Sequence, residues 1–110
     1  MNRPWFLTRQ AEESLMGIAD WTVKTFGPRQ AQAYEADLID RCEAIARGEV
    51  AGQDCSLLVP GKAQALRFAR AGGHFIIWTE TPDRVLIVEF LHQRSDLPRR
   101  LQALMAMRGP

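Results

Sequence analysis

Val85-Leu86-Ile87-Val88-Glu89-Phe90-Leu91-His92-Gln93-Arg94-Ser95-Asp96-Leu97-Pro98 is the stretch on which the reading of this chain turns. Six of the seven residues from Val85 to Leu91 are apolar. A short, continuous apolar run reads as a strand buried on both faces, one that lies inside a sheet. It stops abruptly in five polar residues, His92 to Asp96. Polar side chains at the end of a central strand are held on a rigid scaffold, so the corner is a candidate for chemistry or for anchoring a partner. Ser95 or Asp96 then supplies the oxygen that caps a final helix through Pro98, Leu101, Leu104 and Met105.

Working back from this strand, Thr81-Pro82-Asp83 makes a turn and Phe75 to Thr79 reads as a second strand. Gly72-Gly73 suits a tight hairpin, because glycine accepts positive φ without steric cost. Ala65 to Arg70 is the third strand. Residues 49 to 63 carry Gly52, Pro60 and Gly61 without a clear period and read as a loop, with a short strand at Leu57-Leu58-Val59. Ala31, Tyr34, Leu38, Cys42 and Ile45 recur at helical steps and end before Gly48, while Leu15, Ile18, Ala19, Thr22 and Phe26 define an earlier helix capped by Thr8. Gly27-Pro28 ends one helix and opens the next. Trp5-Phe6-Leu7 is a short strand at a sheet edge. The order is β-α-α-β-β-β-α, and helices followed by a run of strands argue an α+β fold. A single domain spans 1–110, a helical hairpin packed on a small, mostly antiparallel sheet. By position, Trp21, Tyr34, Phe68, Phe75, Trp78 and Phe90 are expected in its core.

Composition narrows the function classes. The chain is 46% hydrophobic and 25% charged, a globular balance with no apolar run long enough to span a membrane and none suited to a signal peptide, so a cytoplasmic protein is expected. Its 14 basic residues nearly balance 13 acidic ones, for a net charge of +1. The basic residues lean toward the C-terminal half, which permits an anionic partner, but a polyanion binder usually carries a clustered positive excess, so no direct nucleic-acid contact is expected. Cys42 and Cys55 form no C-x-x-C pair and read as small buried hydrophobes. There is no phosphate-cradling glycine loop, no His-Glu-x-x-His and no serine elbow, so neither cofactor nor metal is expected. What remains is a set at the sheet end: Arg67, Arg70, His74, Glu89, His92 and Arg94. A base such as Glu89 or His92 with arginines beside it is the apparatus for cleaving RNA through its 2′-hydroxyl. The plainer reading makes His92 a strand-closing hydrogen-bond partner, Glu89 a paired carboxylate on a partly open face and His74 an exposed residue beside the glycine turn.

The residues together resemble the ParE toxins of the RelE/ParE superfamily, the toxin half of type II toxin–antitoxin modules. Leu7-Thr8, Ala11-Glu12, Leu15, Ile18 and Asp20-Trp21 resemble the first strand and helix of that family. Gly27, Ala31, Tyr34 and Leu38 resemble the start of its second helix, and Leu66-Arg67, Gly73-His74 and Ile76-Ile77-Trp78 its middle hairpin. Val85 to Leu91 with His92-Gln93-Arg94, Asp96 and Leu97 is the most specific piece, and the likeness runs from about residue 5 to 104. The resemblance implies the fold read above, inhibition of DNA gyrase without enzymatic cleavage, and neutralisation by a cognate ParD-like antitoxin in a hetero-oligomer. It implies an apolar groove near the helical hairpin that the antitoxin's C-terminal segment covers. Arg67, His92, Arg94, Asp96, Leu97 and Leu101 are the partner-binding candidates. The alternative is the RelE branch, which cleaves messenger RNA on the ribosome, with His92, Arg94, Arg67 and Glu89 as its catalytic set. This chain departs from that branch: its only tyrosine is Tyr34, and its only lysines are Lys24 and Lys62. An antitoxin-binding relative that has lost activity is a third class.

Overall fold

The computed structural model describes residues 2–58 and 66–108. Strand β1 (Trp5–Leu7) leads into α1 (Arg9–Phe26) and α2 (Pro28–Ala46). A two-residue strand β2 (Gln53–Asp54) and a 3-10 turn (Cys55–Leu57) follow, then β3 (Arg67–Ala71), β4 (His74–Glu80), β5 (Val85–His92) and α3 (Leu97–Arg108). The sheet order is β1-β5-β4-β3-β2. β1 runs parallel to β5, and every other pairing is antiparallel. β5 is thus flanked on both sides, as its apolar run requires.

The α1–α2 hairpin covers one face of the sheet. Ala11, Leu15, Leu38, Cys42, Ile45 and Ala46 pack there on Ile76, Trp78, Val85, Ile87 and Phe90. On the other face Leu101 and Leu104 of α3 close over Phe68, Ile77, Val88, Leu91 and Cys55. The hairpin turns on a single residue. Gly27, at φ +93°, donates its N–H to the Val23 carbonyl at 2.8 Å, and its own carbonyl accepts from Ala31 at 3.2 Å. Pro28, which has no N–H to satisfy, starts α2. At the other end of α1, the Thr8 hydroxyl accepts from the Ala11 amide at 3.0 Å and donates to the Val88 carbonyl at 2.8 Å.

Several expectations change. The extra strand lies at Gln53–Asp54, not at Leu57-Leu58-Val59. Asp54 accepts from the Ser56 amide at 2.8 Å and caps a 3-10 turn that takes Leu57 out of any strand, while Val59 lies outside the described residues. Glu89 leaves the face of Val85 and Ile87. β4 and β5 slip register between Ile77 and Trp78, so that Ile77 faces Glu89, Trp78 faces Ile87, and Val88 is the extra residue of a β-bulge. Opposed residues share a face, so Glu89 joins Ile77 on the α3 side. It is 2% exposed there, with no ion pair among the described residues, and its carboxylate accepts from the Phe90 amide at 2.9 Å. The expected partly open face is in fact closed. Trp21 is 60% exposed, not core. One helical residue is a 100° rotation, and Trp21 sits one step before Thr22, off the buried stripe of Ala11, Leu15 and Thr22. Phe6 is also exposed, as an edge strand permits.

Candidate functional site

The exposed aromatics of α1 border an open groove of about 530 Å³. One wall is the second half of α1, with Ile18, Trp21 and Phe26; the floor is the end of the sheet, with Phe90, His74 and His92; Tyr34 of α2 closes the side. Trp21 and Phe26 meet edge to face, with ring centroids 5.8 Å apart. Phe26 is 56% exposed although it continues the helical step from Thr22. Gly17 also lines the groove, and a Cβ built there meets nothing within 4 Å. A mid-helix glycine costs about 1 kcal/mol relative to alanine, so here helix stability is given up at a position that leaves the groove open.

A polar cluster occupies the floor. Gly72, at φ +59°, turns the β3–β4 hairpin directly under Tyr34, and a Cβ on it would fall 2.7 Å from Tyr34 Cε1. The Tyr34 hydroxyl accepts from the Gly73 amide at 2.9 Å and meets His74 Nδ1 at 2.6 Å. The Ala71 carbonyl is farther, at 3.5 Å, so the hydroxyl proton is assigned to His74. Burial raises the Tyr34 hydroxyl above its ordinary pKa, against the lowering effect of the Gly73 amide and with Asp37 adding to the rise, so it stays protonated. Burial, and secondly His92, hold His74 below the ordinary imidazole range. His92 is the direct cross-strand neighbour of His74, with ring centroids 5.3 Å apart, and its Nδ1 accepts from the Arg94 amide at 3.0 Å. His74 is therefore not the exposed turn residue expected: it is half-buried and bonded to Tyr34. Neither His74 nor Tyr34 is signalled by spacing alone, since 40 residues separate them in sequence.

The remaining candidates do not converge here. Arg67 pairs with Trp78, four residues along β4 from His74, or about 13 Å at strand rise. Its guanidinium is bound to the carbonyls of Ala51 at 2.7 Å and Gly52 at 3.3 Å. Glu89 is buried on the opposite face. The four residues of the ribonuclease reading are therefore not assembled into one site, and only His92 and the exposed Arg94 adjoin. Asp96 caps α3, accepting from the Arg99 amide at 3.3 Å, while Leu97 and Leu101 turn into the second core. Leu101, at 0% exposure, holds α3 to the sheet and is closed to a partner in this structure. Arg70 is tied to Gln93 and to the Gly72 carbonyl, which fixes the corner beside the groove. Among the described residues no cluster of histidine, cysteine or carboxylate side chains is arranged to hold a metal, and no helix is long and apolar enough to cross a membrane.

A family model described as the ParE toxin of type II toxin-antitoxin system, parDE, matches residues 6–97. The chain belongs to the ParE toxin family. It is 36% identical over 98 residues to Toxin ParE of Escherichia coli, covering 88% of this chain and 91% of that protein. Toxin ParE1 of Mycobacterium tuberculosis is 29% identical over 102 residues, 92% of this chain and 100% of that one. A solved structure of the chromosomal ParDE TA system from P. aeruginosa superposes with a TM-score of 0.66 at 17% identity, covering 82% of this chain and 95% of that one. At that identity the likeness concerns the fold, three helices on a five-stranded mixed sheet. This ParE-family chain is the toxin of a type II toxin–antitoxin module.

Proposed function

We propose that the chain acts in the cytoplasm by inhibiting DNA gyrase, and that a cognate ParD-like antitoxin silences it by laying a segment into the α1–α2 groove. The observation that carries this reading is the groove itself: Trp21 and Phe26, large aromatics more than half exposed, stand beside an otherwise well-buried core. Exposed apolar concavities on small proteins mark partner sites, and an amphipathic or extended segment is the partner that recurs on such grooves. The similarity to a chain of a ParDE system, and membership of a family defined by its pairing with an antitoxin, support a protein occupant.

Two experiments test the two halves. Purified gyrase assayed for supercoiling in the presence of this chain is expected to lose activity in a dose-dependent way; full supercoiling at saturating toxin removes gyrase as the target. Co-expression with the neighbouring reading frame is expected to give a stable complex and restore growth. Trp21→Ala is expected to weaken that complex roughly tenfold or more, the usual cost of truncating a buried aromatic anchor. Equal affinity of Trp21→Ala and the parent chain would move the antitoxin elsewhere on the surface.

A further inference from the structure

The two groove histidines each have one ring nitrogen already engaged. His74 Nδ1 lies 2.6 Å from the Tyr34 hydroxyl, which is assigned as its donor, and His92 Nδ1 accepts from the Arg94 amide at 3.0 Å. A neutral imidazole that accepts at Nδ1 carries its proton on Nε2. Both rings therefore keep an Nε2–H donor, and neither donor has an acceptor among the described residues. α1 lines the groove with no ionisable side chain; α2 adds only Tyr34, on whose hydroxyl Asp37 acts; the strands add only the two imidazoles; Arg94 follows His92 outside the lining. Among the described residues no carboxylate lines the groove, and the ionisable side chains that do are Tyr34, His74 and His92.

We propose that His74 and His92 together receive a carboxylate side chain of the antitoxin segment, and that protonation of the pair tightens the toxin–antitoxin complex. This rests on the reading that the antitoxin occupies the groove. Tyr34 makes proton uptake tolerable. Its hydroxyl donates to neutral His74; when His74 is protonated, the hydroxyl accepts from Nδ1–H and turns its own proton to the Ala71 carbonyl, 3.5 Å away. A carboxylate beside the pair also offsets the repulsion between two imidazolium rings. The sign follows from linkage. A bound carboxylate raises the histidine pKa values above those of the free chain. Affinity therefore rises as pH falls through the bound-state values, and the gain is complete below the free-state values. It is lost again once the carboxylate itself is protonated, near about pH 4.

The test is calorimetric titration of the toxin with the full-length antitoxin recovered by co-expression, at about pH 8 and about pH 6, on either side of the ordinary imidazole pKa. The parent chain is expected to bind about three- to tenfold tighter at the lower pH, the scale of one or two partly exposed ion pairs. His92→Gln, an exposed substitution that keeps an N–H donor without the charge, is expected to lose part of that gain. The double variant His74→Gln/His92→Gln is expected to lose all of it. Side-chain NMR of the parent chain, which needs no substitution, is expected to show both imidazoles titrating at higher pH in the complex than alone. Unchanged or lower histidine pKa values on binding overturn the proposal, as does a pH dependence that survives in the double variant. Trp21→Ala separates the two readings: if it weakens binding equally at both pH values while the histidine signature is missing, the groove stands and the carboxylate anchor falls.

Discussion

Gly17 is an unfavourable residue for its place, midway along an 18-residue helix with open space where its side chain would be. Gly17→Ala is expected to stabilise the fold by up to about 1 kcal/mol through helix propensity, read as a raised melting temperature. A larger residue, as in Gly17→Leu, is expected to cost antitoxin affinity without loss of fold; unchanged affinity would place the segment away from Gly17. Thr8 presents the opposite case, with each of its hydroxyl's roles satisfied. It caps α1 and donates to the bulge residue Val88. Thr8→Val removes both bonds at nearly constant volume and is expected to cost about 1–2 kcal/mol in chemical denaturation. Tyr34→Phe strips a donor from His74 and an acceptor from Gly73. Its cost is expected to be of similar size, about 1–3 kcal/mol, and His74 loses the hydroxyl that fixes its tautomer.

The elements are legible in the sequence to different depths. The apolar run of β5, the Thr8 cap, the Gly27-Pro28 junction and the Gly72 turn each have a local cause, and the structure places each where its residues put it. A helical hairpin on a small sheet follows from their order, the ParE resemblance rests on the order and spacing of the matched residues, and the placement of α3 over the second face comes from the structure. The bulge opposite Ile77 has no local signal, because it arises from pairing two strands, and it alone moves Glu89 from one face of the sheet to the other. A groove near the hairpin is expected from the family resemblance, but its residues are not. Trp21 looks like core until the buried stripe of α1 is fixed by its neighbours, and the Tyr34–His74 bond joins positions 40 residues apart. The constraint at the helix junction is Gly27, which ends one helix and begins the next at φ +93°. Gly27→Ala has room for its methyl but not the conformation, and a loss of about 1–2 kcal/mol is expected. A melting temperature equal to the parent's would show that the junction relaxes to another turn.

At the scale of the whole molecule, a clasp and two buried thiols report on closure. The Arg3 guanidinium donates to the Ile45 and Ala46 carbonyls at the end of α2, to the Thr81 carbonyl, and to Glu80 at 2.7 Å. Burial alone would raise the Glu80 carboxyl, but the Trp78 indole N–H and Arg3 outweigh it and hold it below the usual carboxylate range. A depressed carboxylate stabilises the fold above its unfolded pKa, near about 4.3. That contribution fades as pH falls through the folded value, and Arg3→Ala is expected to flatten the acid limb of the stability curve. Burial first, with nearby carboxylates adding to it, pushes the Cys42 and Cys55 thiols up to about 12. Thiol-specific reagents at neutral pH are expected to label both only as fast as the chain opens, so rapid labelling of the native protein would contradict the packing of both cores. The parallel pairing of β1 with β5 has a consequence in time. Trp5 to Leu7 bond to Val85 to Ile87, so the earliest strand made waits for the latest before it finds its neighbour. Such distant pairing carries a loop-closure cost that must be met before the contacts form, and it slows folding. A ribosome that stalls before β5 emerges leaves a chain whose first strand has no neighbour, so the folded toxin waits for the synthesis of β5.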